Sequence, residues 1–205
     1  MHGLVARTLQ CFLQDTYGQV FWAEIARRAE LDSPEFEAML DYEPEIVDRV
    51  LRAAVARLAK PGEAILEDIG TYLITHPNNE GLRRLMRYGG LDFIDFLHSL
   101  DDLPGRARLA VADLNLPELE LRDRPGGAFE LVCQVRARDP LGFGHVLVGV
   151  LRAMADDYGA LVILDHAGLR DGRERIDIAV VQADFATGRS FDLGGAPGPG
   201  QGGRA

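Results

Sequence analysis

Apolar residues recur with a helical period through the first half of the chain, and with a period of two through much of the second. Residues 3–15 carry Leu4, Leu9, Phe12 and Leu13 at helical spacing, and 18–30 carry Val20, Phe21, Ile25 and Ala29. Asp32-Ser33-Pro34 has the form of a cap followed by proline in a first helical turn. Residues 44–58 place Ile46, Val47, Val50, Leu51 and Ala54 together, and Lys60-Pro61-Gly62 breaks the run. Residues 62–75 do the same with Ile65, Leu66, Ile69, Tyr72 and Leu73. Shorter helices are expected over 79–87 and 91–103, the second with Phe93, Phe96, Leu97, Leu100 and Leu103 as its stripe.

The pattern changes near residue 115. Leu116 to Leu121 alternates as a half-buried strand does, Arg124-Pro125-Gly126-Gly127 reads as a turn, and Phe129 to Arg138 alternates again. Phe129, Leu131, Cys133 and Val135 share one face of that second strand. A helix over 145–157 follows, then strands over 160–166 and 174–183 joined at Asp171-Gly172. This order predicts an α+β fold: an N-terminal helical half packed on an antiparallel sheet with one inserted helix. It also predicts one domain over 1–183 and a disordered Gly/Pro-rich tail over 184–205.

A formal charge of −10 argues against nucleic-acid binding, which needs a concentrated basic surface. No apolar run reaches the roughly 18 residues of a membrane span. No basic region precedes an apolar stretch at the N-terminus, so no secretion signal is expected. Cys11 and Cys133 lack a Cys-x-x-Cys partner, which suits core filling in a reducing cytoplasm.

Met1-His2-Gly3-Leu4-Val5, Trp22-Ala23-Glu24-Ile25, the helix Phe96 to Leu103, and Pro117 occur in an order that resembles the heme nitric-oxide/oxygen-binding (H-NOX) family. The resemblance covers nearly all of residues 1–183. It implies a heme pocket in which a proline, here Pro117, presses on the porphyrin. The family's proximal histidine follows a pattern like Leu-Asp-x-Leu-His. In this chain that stretch reads Leu100-Asp101-Asp102-Leu103-Pro104, and proline has no side-chain donor for iron. The family's Tyr-x-Ser-x-Arg clamp on the heme propionates matches Gln134-Val135-Arg136-Ala137-Arg138, which keeps only Arg138. Arg136 and Arg138 share a strand face, and two readings stand side by side: a carboxylate-binding pair or a solvated face.

His98 is the nearest substitute ligand, but helical geometry sets it about 120° around the helix from position 104, facing outward. His145 opens a helix and reads as a capping or surface residue, His76 and His166 fall at loop or strand ends, and His2 is terminal. No zinc spacing is present. No Gly-x-Ser-x-Gly occurs, and Gly142-Phe143-Gly144 lacks the rest of a dinucleotide-binding pattern. Asp101-Asp102 and Asp156-Asp157 read as helix-end or surface charges, and Arg83, Arg84 and Arg87 as a solvated helix face with docking as a lesser reading.

The resemblance implies a stand-alone, non-enzymatic, cytoplasmic sensory protein that controls a separate signalling enzyme such as a histidine kinase or diguanylate cyclase. The leading expectation is a member without conventional histidine-ligated heme. Its pocket then takes another small apolar ligand, or the chain serves as a protein-interaction module. The alternative is a nitric oxide sensor whose heme has an unusual axial ligand or none.

Overall fold

A computed structural model describes residues 1–135 and 142–189. Four helices form where the helical period places them: α1 (Gly3–Tyr17), α2 (Gln19–Arg28), α3 (Pro44–Leu58) and α4 (Gly62–Thr75). Their inward faces, with Leu13, Trp22, Ile25, Val50 and Ile65 among them, build one core. His2 caps α1, its Nδ1 accepting the Leu4 N–H at 3.1 Å. Gly3 admits no side chain, because a Cβ there would collide with the Glu37 and Leu40 carbonyl oxygens.

Asp32-Ser33-Pro34 does not start a helix; the chain between Leu31 and Glu43 is irregular. Long-range hydrogen bonds explain the difference. The Trp22 Nε1–H donates to Pro34 O at 2.8 Å, and Gln10 Oε1 accepts the Phe36 N–H at 2.8 Å. Both groups are thereby pinned to α1 and α2 and are lost to a local helix.

The expected helix over 91–103 is two helices. α5 (Glu80–Arg87) precedes them, α6 (Phe93–His98) is short, one 3-10 turn spans Leu100–Asp102, and α7 (Leu103–Ala110) begins at the residue before Pro104. Pro104 therefore opens a helix instead of ending one. It has no N–H to continue the ladder from α6, and its fixed φ suits a first turn. Ser99 covers the break: its hydroxyl donates to Phe96 O, and Arg106 donates to Ser99 O at 2.9 Å.

The sheet comprises β1 (Leu119–Arg124), β2 (Ala128–Gln134), β3 (Leu161–Arg170) and β4 (Arg173–Gln182), all antiparallel, in the order β1-β2-β4-β3. β1 starts after Pro117, later than its alternation suggests, because proline cannot donate to a ladder. Asp171 and Gly172 have φ of 52° and 72°, the two positive values a tight I′ hairpin requires. The inserted helix α8 (Phe143–Tyr158) lies across the sheet. Leu147, Leu151 and Met154 of α8 meet Leu131, Cys133 and Ile176 of the sheet in a second core.

The two cores join where α4 runs against α8. A Cβ at Gly70 would strike the Val146 carbonyl, and one at Gly149 would strike the Glu67 carbonyl. Glycine at both positions brings the backbones into contact. After β4 the chain turns back: the Phe185 and Ala186 N–H groups donate to Gly159 O, and the Arg189 N–H to Asp157 O. Residues 184–189 of the expected tail thus lie along the end of α8.

Candidate ligand cavity

A cavity of about 1600 Å³ lies between the two cores. The first turns of α1 contribute Leu4, Val5 and Thr8, and α4 contributes Leu66, Ile69 and Leu73. Leu82 and Met86 of α5, Leu103 of α7, and Leu147 and Val150 of α8 come from the other core, joined by Ala107 of α7 and by Val146 of α8, which packs on the first core. Leu116 and Pro117 close one side. The charged lining is mostly acidic: Asp41, Glu43, Glu45, Asp48 and Asp113 face one cation, the Met1 ammonium, with no lysine or arginine among the described lining residues.

The residues singled out from the sequence separate into groups. Pro117 is buried against the cavity. Pro104 is buried in the first turn of α7, between the cavity-lining Leu103 and Ala107. His98 is half exposed, 3.6 Å from Asp123 and edge-on to Phe129, and does not line the cavity. It faces outward as expected, though not for the reason of a shared helix, since His98 ends α6 and Pro104 lies in α7. Gln134 is exposed at the end of β2, away from the cavity. Arg136 and Arg138 lie outside the described residues.

All five histidines are described, and only His2 lines the cavity. Because its Nδ1 accepts the Leu4 N–H, a neutral ring carries its proton on Nε2 and presents a donor rather than a metal-binding lone pair. The walls and volume fit a flat apolar group such as a porphyrin. The donor set does not fit histidine ligation of its iron. Other donors in the lining are the Met1 and Met86 thioethers and the Tyr42 hydroxyl, which accepts the Glu37 N–H. Among the described residues no cluster of three His, Cys, Asp or Glu is arranged to hold a metal ion.

His145 is neither a cap nor a surface residue. It stacks on His166 with ring centroids 3.8 Å apart. His166 sits within β3 rather than at its end. Glu67 flanks one ring at 3.6 Å and Glu174 the other at 3.4 Å. Buried Glu174 also accepts the Gly144 N–H at 2.8 Å, fixing the start of α8.

Asp157 and two of the α5 arginines also depart from the surface reading. Arg83 binds Asp157 through two N–H donors at 2.7 and 2.9 Å, and Asp157 is 1% exposed. The Arg87 guanidinium lies 3.7 Å from the centre of the Tyr158 ring, while the Tyr158 hydroxyl donates to Gly90 O. Arg84 does face solvent, paired with Glu80. These contacts fix α5 to α8 and so hold Leu82 and Met86 in the cavity wall. An i, i+4 pattern exposes none of this, because the partner of Arg83 is 74 residues away in the chain.

A sequence model of the haem-NO-binding proteins matches residues 2–165. The chain belongs to this family. Its α+β fold is the H-NOX fold. A Cs H-NOX mutant carrying 4-cyano-L-phenylalanine superposes with a TM-score of 0.72 at 17% identity, covering 91% of this chain and all of the other (100%). The S. oneidensis H-NOX protein in its Fe(II)NO state gives 0.72 at 14% identity, covering 88% of this chain and 99% of that one. Similarity extends to soluble guanylate cyclase 89Db of Drosophila melanogaster, 21% identical over 78% of this chain. It also extends to guanylate cyclase soluble subunit beta-2 of Rattus norvegicus, 28% identical over 47% of this chain. The chain spans 24% of the first relative and 14% of the second. H-NOX domains are heme-based nitric oxide and oxygen sensor modules. Among the described residues of this member, no helix is long and apolar enough to cross a membrane.

Proposed function

We propose that this chain is a non-catalytic H-NOX sensory domain that regulates a separate signalling enzyme and does not use histidine-ligated heme. The observation that carries the reading is Pro104, buried in the first turn of α7 between two cavity-lining residues, on a helix without histidine. An axial ligand sets the redox behaviour and gas response of a heme, so the signal here is the filling of the cavity. A histidine kinase or diguanylate cyclase is the partner class that the family resemblance favours. The guanylate cyclase relatives are named for an activity of proteins of which this chain spans only about a quarter, 24% of the first.

Hemin titration tests the heme reading. The unmodified protein should give broad absorbance without a saturating Soret band. Pro104→His should gain a sharp band at near-stoichiometric heme. A sharp, stoichiometric band in the unmodified protein overturns the proposal. The cavity's size and the Met86 thioether favour one second reading, heme held without histidine. In that case the band persists in His98→Ala and shifts in Met86→Leu.

A further inference from the structure

We propose that the cavity takes a cationic amphiphile, with an apolar body between the two cores and an ammonium-type head at the carboxylate rim. This rests on the cavity being the chain's ligand site. Its inner walls are apolar, with Ile69, Met86, Leu103 and Val150 drawn from four different helices. Its rim is acidic from two separate stretches of chain. Asp41, Glu43, Glu45 and Asp48 come from the entry to α3, where a helix N-terminus itself favours carboxylates. Asp113 reaches the same cavity from the segment after α7, where no such reason applies.

The rim charges have little internal compensation. Only Asp48 has an ion-pair partner among the described residues, the exposed Arg52 at 2.7 Å. The Met1 ammonium, hydrogen-bonded to the neutral Tyr42 O, is the one cation among the described lining residues and offsets a single one of these charges. His2 lines the same cavity with a ring nitrogen already accepting the Leu4 N–H. A ligand with a carboxylate head, a fatty acid or a porphyrin dianion, meets like charge on this side. An ammonium head meets opposite charge and leaves the apolar body in the walls.

The test is displacement of the neutral fluorophore N-phenyl-1-naphthylamine by octylammonium, octanol and octanoate, all below their micellar concentrations. Octylammonium should displace at several-fold lower concentration than octanol, and octanoate should be weakest. The spread should narrow at about 0.5 M salt, where exposed charges are screened. Joint replacement Asp41→Asn, Glu43→Gln and Glu45→Gln should remove the ordering while leaving octanol unchanged. Ala107→Trp should weaken all three ligands by filling the cavity; Val150→Phe serves the same purpose if circular dichroism shows the first variant unfolded. Octanoate equal to or better than octylammonium overturns the head-group assignment but leaves the ligand cavity standing. Fluorophore binding that no amphiphile displaces and neither cavity-filling variant weakens overturns both. The hemin titration reports separately on the heme reading.

Discussion

Asp157 shows how far a side chain's role departs from its sequence surroundings. Next to Asp156 at a helix end it reads as a surface charge, yet it is 1% exposed and held by both donors of Arg83. Removing one partner of a buried ion pair leaves an uncompensated charge, at a cost of about 3–5 kcal/mol. Arg83→Met should lower the urea-unfolding free energy by that order, since the remaining cation, Arg189, stands 3.9 Å away. An unchanged midpoint would refute the role. Glu130 gives a second case. Burial pushes its carboxyl up, but Arg124 and Arg122 pull it down further, so it lies below the usual carboxylate value in the folded chain. A lowered folded pKa contributes stability that is present above the unfolded value and lost as pH falls through the folded one. The melting temperature should therefore fall as pH drops below the ordinary glutamate value and through the lowered folded one, and Glu130→Gln should flatten part of that fall. An identical slope in the variant would count against it.

Among the elements, α3 and α4 stand at the bounds their periodicity predicts, 44–58 and 62–75, because each has a continuous apolar stripe and a clear stop. The failures have physical causes outside the local pattern. At 32–34 the capping signal is overridden by Trp22 and Gln10, which capture the backbone from other helices. At 91–103 the apolar stripe continues through Pro104 while the hydrogen-bond ladder does not. The cavity was legible only as two prolines: Pro117 lines it and Pro104 lies beside it, whereas its acidic rim becomes visible once residues 41–48 and 113 meet in space. Gly70 and Gly149 look like indifferent small residues within apolar helices, yet they set the spacing of α4 and α8. Gly149→Ala gains helix propensity but must push against the Glu67 carbonyl. Overpacking of this kind costs about 1–3 kcal/mol, so calorimetry should show a lower melting temperature. A rise would mean that the two helices are free to separate.

For the whole molecule, the arrangement that matters is two cores with a cavity between them. The α1–α4 core and the core of sheet and α8 each bury their own apolar residues. Leu9, Leu66 and Ile69 of the first face Met86, Leu103 and Leu147 of the second across the cavity. The α+β order and the family were readable from the sequence because they depend on element succession. The division into two cores was not, because the helical stripes look alike whichever core they enter.

The backbone contact at Gly70 and Gly149 has a consequence for how a signal leaves the protein. An occupant of the cavity, touching α1 on one side and α7 on the other, would tie the α1–α4 core to the sheet core beyond the α4–α8 contact. Amides of α1 should then exchange hydrogen for deuterium more slowly once a ligand binds, while those of β2, held on both sides within the sheet, keep their rates. Equal slowing in both would indicate general stabilisation instead. Coupling of that kind needs no change of shape.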